Sequence, residues 1–109
     1  MPGDADARLV FQRRLKQARE ARELSQKNLG IEAGIDPFVA SSRINRYEQG
    51  VHEPDMATVQ RLAKALQVPL PYLFATDDKM AAMILAFDKL SPAEKERALQ
   101  NIGIQHTKK

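Results

Sequence analysis

The stretch SQKNLGIEAGIDPFVASSRINRYEQG, residues 25–50, holds two helix starts and two helix stops in close succession. Ser25 is a good N-cap because its hydroxyl can accept from the free amides of a first turn, and Gly34 suits the left-handed conformation of a helix exit. A helix is therefore expected from about Gln26 to Ala33. Asp36 followed by Pro37 is a stronger start, since aspartate accepts from those amides and proline fits the first helical position. The next helix should run to about Gln49, with Gly50 as its stop. Within it Ala40, Ile44 and Tyr47 recur at helical spacing and should face the rest of the protein. That leaves Ser41, Ser42, Asn45, Arg46 and Gln49 near the opposite side.

On the N-terminal side, Met1 to Ala7 carries Pro2, Gly3 and two aspartates without periodicity and reads as a frayed start. Leu9, Val10, Phe11, Leu15 and Ala18 fall close to one face of a helix from about Leu9 to Arg22, with the basic residues largely on the other sides. On the C-terminal side, Pro54 and Asp55 punctuate, and Val59, Leu62, Ala63 and Leu66 give a fourth helix its apolar stripe. A short helical turn is expected at Pro71 to Phe74 and another helix at Lys79 to Leu90. Ser91, Pro92 and Glu94 then supply the N-cap, first-turn proline and capping-box glutamate of a last one. Nothing alternates with period two over a useful length, so the fold is expected to be all-α, without a sheet or an internal repeat.

The chain has 109 residues, enough for one compact domain and an appendage but not for a second core. With 43% hydrophobic and 28% charged residues it is too apolar to be disordered. It has no cysteine and only His52 and His106, so neither a disulfide framework nor a zinc site is expected, and no cofactor is implied. There is no apolar run of about 18 residues, and Met1 to Arg8 lacks the apolar stretch of a signal peptide, which points to a cytoplasmic protein without a membrane partner. The net charge of +3 is a weak sign of an anionic partner. Its distribution says more: Arg8, Arg13, Arg14, Lys16, Arg19, Arg22 and Lys27 face only Glu20 and Glu23 in the same segment. Alone, that could equally be a solvated helix face.

The order helix, Ser25-Gln26, Leu29, Ala33-Gly34, helix, Tyr47-Glu48-Gln49-Gly50, Pro54, Leu62-Ala63-Lys64-Ala65-Leu66 resembles the Cro/repressor-like, or XRE-type, helix-turn-helix family over roughly Phe11 to Phe74. The resemblance implies a compact five-helix DNA-binding bundle, assigned here to residues 8–75, with residues 76–109 as a C-terminal helical extension. It makes the second and third helices the DNA-reading pair. Between Gly34 and Glu48 this chain has about four residues more than the family pattern, close to one helical turn of about 3.6 residues. They either lengthen the third helix at its start or form a longer loop through Ile35 to Val39.

Counted back from Glu48, the resemblance places Ser41, Ser42, Arg43, Asn45 and Arg46 at positions that approach DNA bases. Arginine can pair bidentately with guanine, and asparagine with adenine. Gln26 resembles the glutamine that binds a phosphate and buttresses the reading helix, with Lys27 and Asn28 as further phosphate ligands that set register rather than sequence. Arg19 and Glu48 match a structural salt bridge between the first helix and the end of the third; the other reading of Arg19 is a phosphate contact. Phe38 is read as a core or turn plug, the alternative being an apolar contact with a thymine methyl.

Function is therefore expected to be sequence-specific binding of double-stranded DNA by a transcriptional repressor, with an inverted-repeat operator. Met80, Met83, Ile84, Phe87 and Leu90, continued by Leu99 and Ile102, form an apolar stripe in the extension. The stripe is assigned to a homodimer, the bland alternative being that it folds back on its own core. A second reading is a protein-interaction module, such as an antitoxin neutralising a partner protein through these C-terminal helices. An enzyme is not expected. Ser41, His52 and Asp55 could be strung into a triad on paper, but no oxyanion-hole motif or phosphate-cradling glycine loop accompanies them.

Overall fold

The computed structural model describes residues 6–104; the readings of residues 1–5 and of His106 lie outside them, whereas Asp6 and Ala7, expected in a frayed start, cap and open the first helix because the Asp6 carboxylate accepts from the Arg8 amide. The described residues form six α-helices and one 3-10 helix, with no strand. The α-helices are α1 (Ala7–Ala21), α2 (Gln26–Glu32), α3 (Pro37–Gln49), α4 (Met56–Leu66), α5 (Asp78–Asp88) and α6 (Pro92–Ile102); the 3-10 helix is Leu70–Phe74. None is long and apolar enough to cross a membrane.

Each α-helix starts on a side-chain cap. Asp6, Ser25, Asp36, Asp55, Asp77 and Ser91 all accept from a first-turn amide, and Ser91 completes a reciprocal capping box with Glu94. These contacts satisfy amides that a helix leaves without internal partners. The 3-10 turn opens after Pro69 without a side-chain cap.

The core is built from one stripe per element. Leu15 of α1, Leu29 of α2, Ile44 of α3, Leu62 and Leu66 of α4 and Leu73 of the 3-10 helix are fully buried together. Phe11 stacks on Phe74 with ring centroids 5.7 Å apart, fastening α1 to the 3-10 helix. Two exits are fastened by guanidinium groups: Arg22 donates to the Ala65 carbonyl near the end of α4, and Arg61 donates to the Ala33 carbonyl at the end of α2. Cationic donors suit these positions because the last carbonyls of a helix carry partial negative charge.

Two positions on α1 depart from the sequence reading. Leu9 is 62% exposed, whereas Arg14, expected among the solvated basic residues, is 3% exposed. The buried stripe runs through Val10, Phe11, Arg14, Leu15 and Ala18. Arg14 is tolerated there because its guanidinium donates twice to the Ala75 carbonyl, at 3.0 and 2.8 Å, and once to Asp78, at 3.0 Å, while lying 5.6 Å from the Tyr72 ring centre. A buried charge is acceptable only when so partnered. The arrangement also joins α1 to the first turn of α5, beside buried Ala81.

Beyond Ala81, Ile84 and Leu85 of α5 still pack against the core, but the rest of the extension stays open. No residue of α6 is buried, and Ile84, Phe87 and Leu99 are only half covered. With Pro69, Met83 and Ile102 they line a groove of about 400 Å³ between α5 and α6.

Candidate nucleic-acid interface

α2 and α3 meet at unusually short range because Gly30 lies against Ala40. A Cβ added at Gly30 would stand 2.6 Å from the Ala40 Cβ, closer than two carbons can come. The intervening turn is closed by Gly34, at φ 86°, and by donation from the Ile35 amide to the Gly30 carbonyl at 2.9 Å. Leu29 then packs into the shared core beside Ile44.

α3 takes the additional residues at its start. It begins at Pro37, capped by Asp36, and ends at Gly50 with φ 77°, a left-handed conformation that residues with a side chain rarely adopt. The longer loop weighed from the sequence does not occur; Ile35 is half buried and Val39 is already helical. The capped, proline-primed helix satisfies amides that a loop would leave to water.

The end of α3 is fixed by a three-helix network. Arg19 of α1 donates through Nε to Glu48 Oε2 at 2.6 Å and through Nη2 to Oε1 at 3.1 Å, and its Nη1 donates to the Leu24 carbonyl at 2.9 Å. Gln26 of α2 donates through Nε2 to Glu48 Oε1 at 3.1 Å. The Glu48 side chain is 1% exposed and that of Arg19 13%. The forked geometry matches two guanidinium N–H groups to two carboxylate oxygens. Hydrogen bonding to Glu48 raises the Arg19 pKa above its ordinary value, against the opposing effect of burial.

With Ala40, Ile44, Tyr47 and Glu48 buried, the other side of α3 faces outward. Ser41, Ser42, Asn45, Arg46 and Gln49 are all exposed there, and Arg43 is exposed on its flank. Ser42 Oγ donates locally to the Val39 carbonyl at 3.1 Å. Ion pairs among the described residues engage Arg8, Arg13, Arg14, Arg19 and Arg22 and leave Arg43 and Arg46 out. Lys27 and Asn28 are exposed in the first turn of α2, whereas Gln26 is half buried with its amide turned toward Glu48.

Phe38 overturns one expectation. It plugs neither the core nor the turn but is 98% exposed at the second position of α3. Ile35 occupies the turn instead, packed against the core. Gly30 was missed in the sequence; the signal was a glycine inside a short helix, where only a close neighbour justifies it. Of the three residues strung into a triad on paper, one has a structural role. Ser41 stands on the outer face of α3, His52 is exposed in the following loop, and Asp55 caps α4 by accepting from the Thr58 amide at 2.8 Å.

The chain matches the Helix-turn-helix family (HTH_3) over residues 15–73. It is 30% identical over 94 residues to the cryptic phage CTXphi transcriptional repressor RstR of Vibrio cholerae, covering 80% of this chain and 79% of that protein. It also superposes on the crystal structure of the transcriptional regulator BswR with a TM-score of 0.79 at 43% identity, over 84% of this chain and 90% of that one.

Proposed function

The chain belongs to the helix-turn-helix family HTH_3 of DNA-binding transcriptional regulators, and from that premise we propose that it is a repressor reading an inverted-repeat operator through the major groove. One observation carries the reading: α3 is locked to the bundle along Ala40, Ile44, Tyr47 and Glu48 and presents Ser41, Ser42, Asn45 and Arg46 outward, with Arg43 on the flank. The major groove admits a helix, and these side chains have the donors and acceptors that base edges require. In this reading Gln26, Lys27 and Asn28 touch phosphate. Gln26 does so while its Nε2 remains on Glu48, so phosphate contact and helix position are coupled through one side chain. Repression follows from occupancy of the operator, and similarity to a phage repressor supports that sign of regulation.

The operator is an inverted repeat because the chain acts as a homodimer through residues 76–109. α3 has 13 residues and is therefore about 20 Å long, enough for only a few base pairs. Two copies related by a two-fold axis read half-sites about 34 Å apart. The open α5–α6 groove supplies the apolar surface such a contact needs, and the Arg14–Asp78 link holds α5 to the reading head. Selection of bound duplexes from a random DNA pool tests the reading. The expected result is one inverted repeat with half-site centres one DNA turn apart; a pool with no enriched motif would contradict it.

A further inference from the structure

Phe38 stands wholly in solvent at the start of α3, although its size would reward burial. Its backbone is not loose, because its amide donates to Asp36 Oδ1 at 2.8 Å and it follows Pro37 in the first turn. At about 100° per residue, Phe38 lines up with Ser42, Asn45 and Gln49, diametrically opposite buried Ala40 and Tyr47. The phenyl ring therefore extends the outward polar row by about one turn, or 5.4 Å, toward the N-terminus of α3. The rest of that row is polar, which does not suit an apolar protein partner.

In the major groove the apolar feature of a base edge is the thymine 5-methyl group, and phenylalanine is a side chain that can cover it. We infer that Phe38 is a specificity-determining residue that packs on a thymine methyl; the inference rests on the proposal that α3 lies in the major groove. The additional turn of α3 carries the ring to a base pair beyond those that Ser41 to Arg46 reach.

The test uses the full chain, its Phe38→Ala variant, and the duplex that the parent recovers from a random pool. That duplex is resynthesised with uracil in place of each thymine in turn, which removes the methyl and keeps every hydrogen-bonding group. The parent should lose affinity about fourfold at one thymine per half-site, the effect of one apolar carbon group. Phe38→Ala should bind the thymine duplex correspondingly less tightly, be indifferent to uracil at that position alone, and melt like the parent. If Phe38→Ala kept the parent's uracil sensitivity everywhere, or no thymine methyl mattered, the inference would be overturned while the reading of α3 stood. A change in sedimentation with base preference intact would overturn it in favour of a protein contact. Failure to recover any duplex would overturn the placement of α3 itself, and this inference with it.

Discussion

Glu48 holds two helices to the end of a third, accepting from Arg19 and Gln26 in a place where its side chain is 1% exposed. Replacement by alanine strands the guanidinium of Arg19 and leaves the Gln26 amide without its acceptor. Breaking a buried pair from one side costs about 3 to 5 kcal/mol, against about 0 to 1 for a surface pair. Glu48→Ala should therefore lower the urea midpoint markedly, and an unchanged midpoint would show the pair to be energetically superficial. Gly30 sets two effects against each other. Alanine is the better helix former by about 1 kcal/mol, but the added methyl meets Ala40 at 2.6 Å, and overpacking costs about 1 to 3 kcal/mol. Gly30→Ala should thus destabilise the protein, which the same unfolding curve checks. Neither the closeness at Gly30 nor the burial of Arg14 was legible in the sequence, because both depend on what another helix brings opposite. Phe38 misled for a related reason: its size argues for burial, and only the register of α3 shows it facing outward.

The elements themselves were legible. Ser25, Asp36-Pro37, Asp55 and the Ser91–Glu94 box mark helix starts through local chemistry, and local chemistry is what a sequence contains. The ambiguity after Gly34 lay between a helix turn and a loop of equal length, and Asp36-Pro37 resolved it toward the helix. Caps also give the protein a pH dependence. The pKa of Asp55 lies below the ordinary aspartate value because Thr58 hydrogen-bonds to its carboxylate, through its side chain and through its backbone amide. A lowered folded-state pKa contributes stability above the unfolded value of about 3.9, and that contribution is lost as pH falls through the folded value. The melting temperature of the parent should therefore approach that of Asp55→Ala as the solution is acidified from about pH 5 downward. A difference between the two that stays constant with pH would remove the carboxylate from the account of α4.

At the scale of the whole molecule, the bundle leaves its C-terminal helices with an open apolar groove, and the proposed dimer closes it. Phe87→Asp in the full chain places a charge in that contact. It should convert a sedimenting dimer into a monomer that binds the operator weakly while keeping its helical content; a variant that still sediments as a dimer with parental affinity would place the interface elsewhere. The apolar stripe of the extension was legible from its spacing, but its division was not: Ile84 packs against the core while Met83, Phe87, Leu99 and Ile102 line the groove, and that depends on what other elements bring opposite. The central claim is that the outer face of α3 reads base pairs, and Arg46 tests it most directly. The measurement is the affinity of the parent and of Arg46→Ala for the recovered operator and for each of its single-base-pair variants. The account predicts that Arg46→Ala loses about 1 to 3 kcal/mol on the operator and becomes indifferent to one base pair per half-site, as the loss of a bidentate base contact requires. Parental affinity with parental base preference at every position would contradict it.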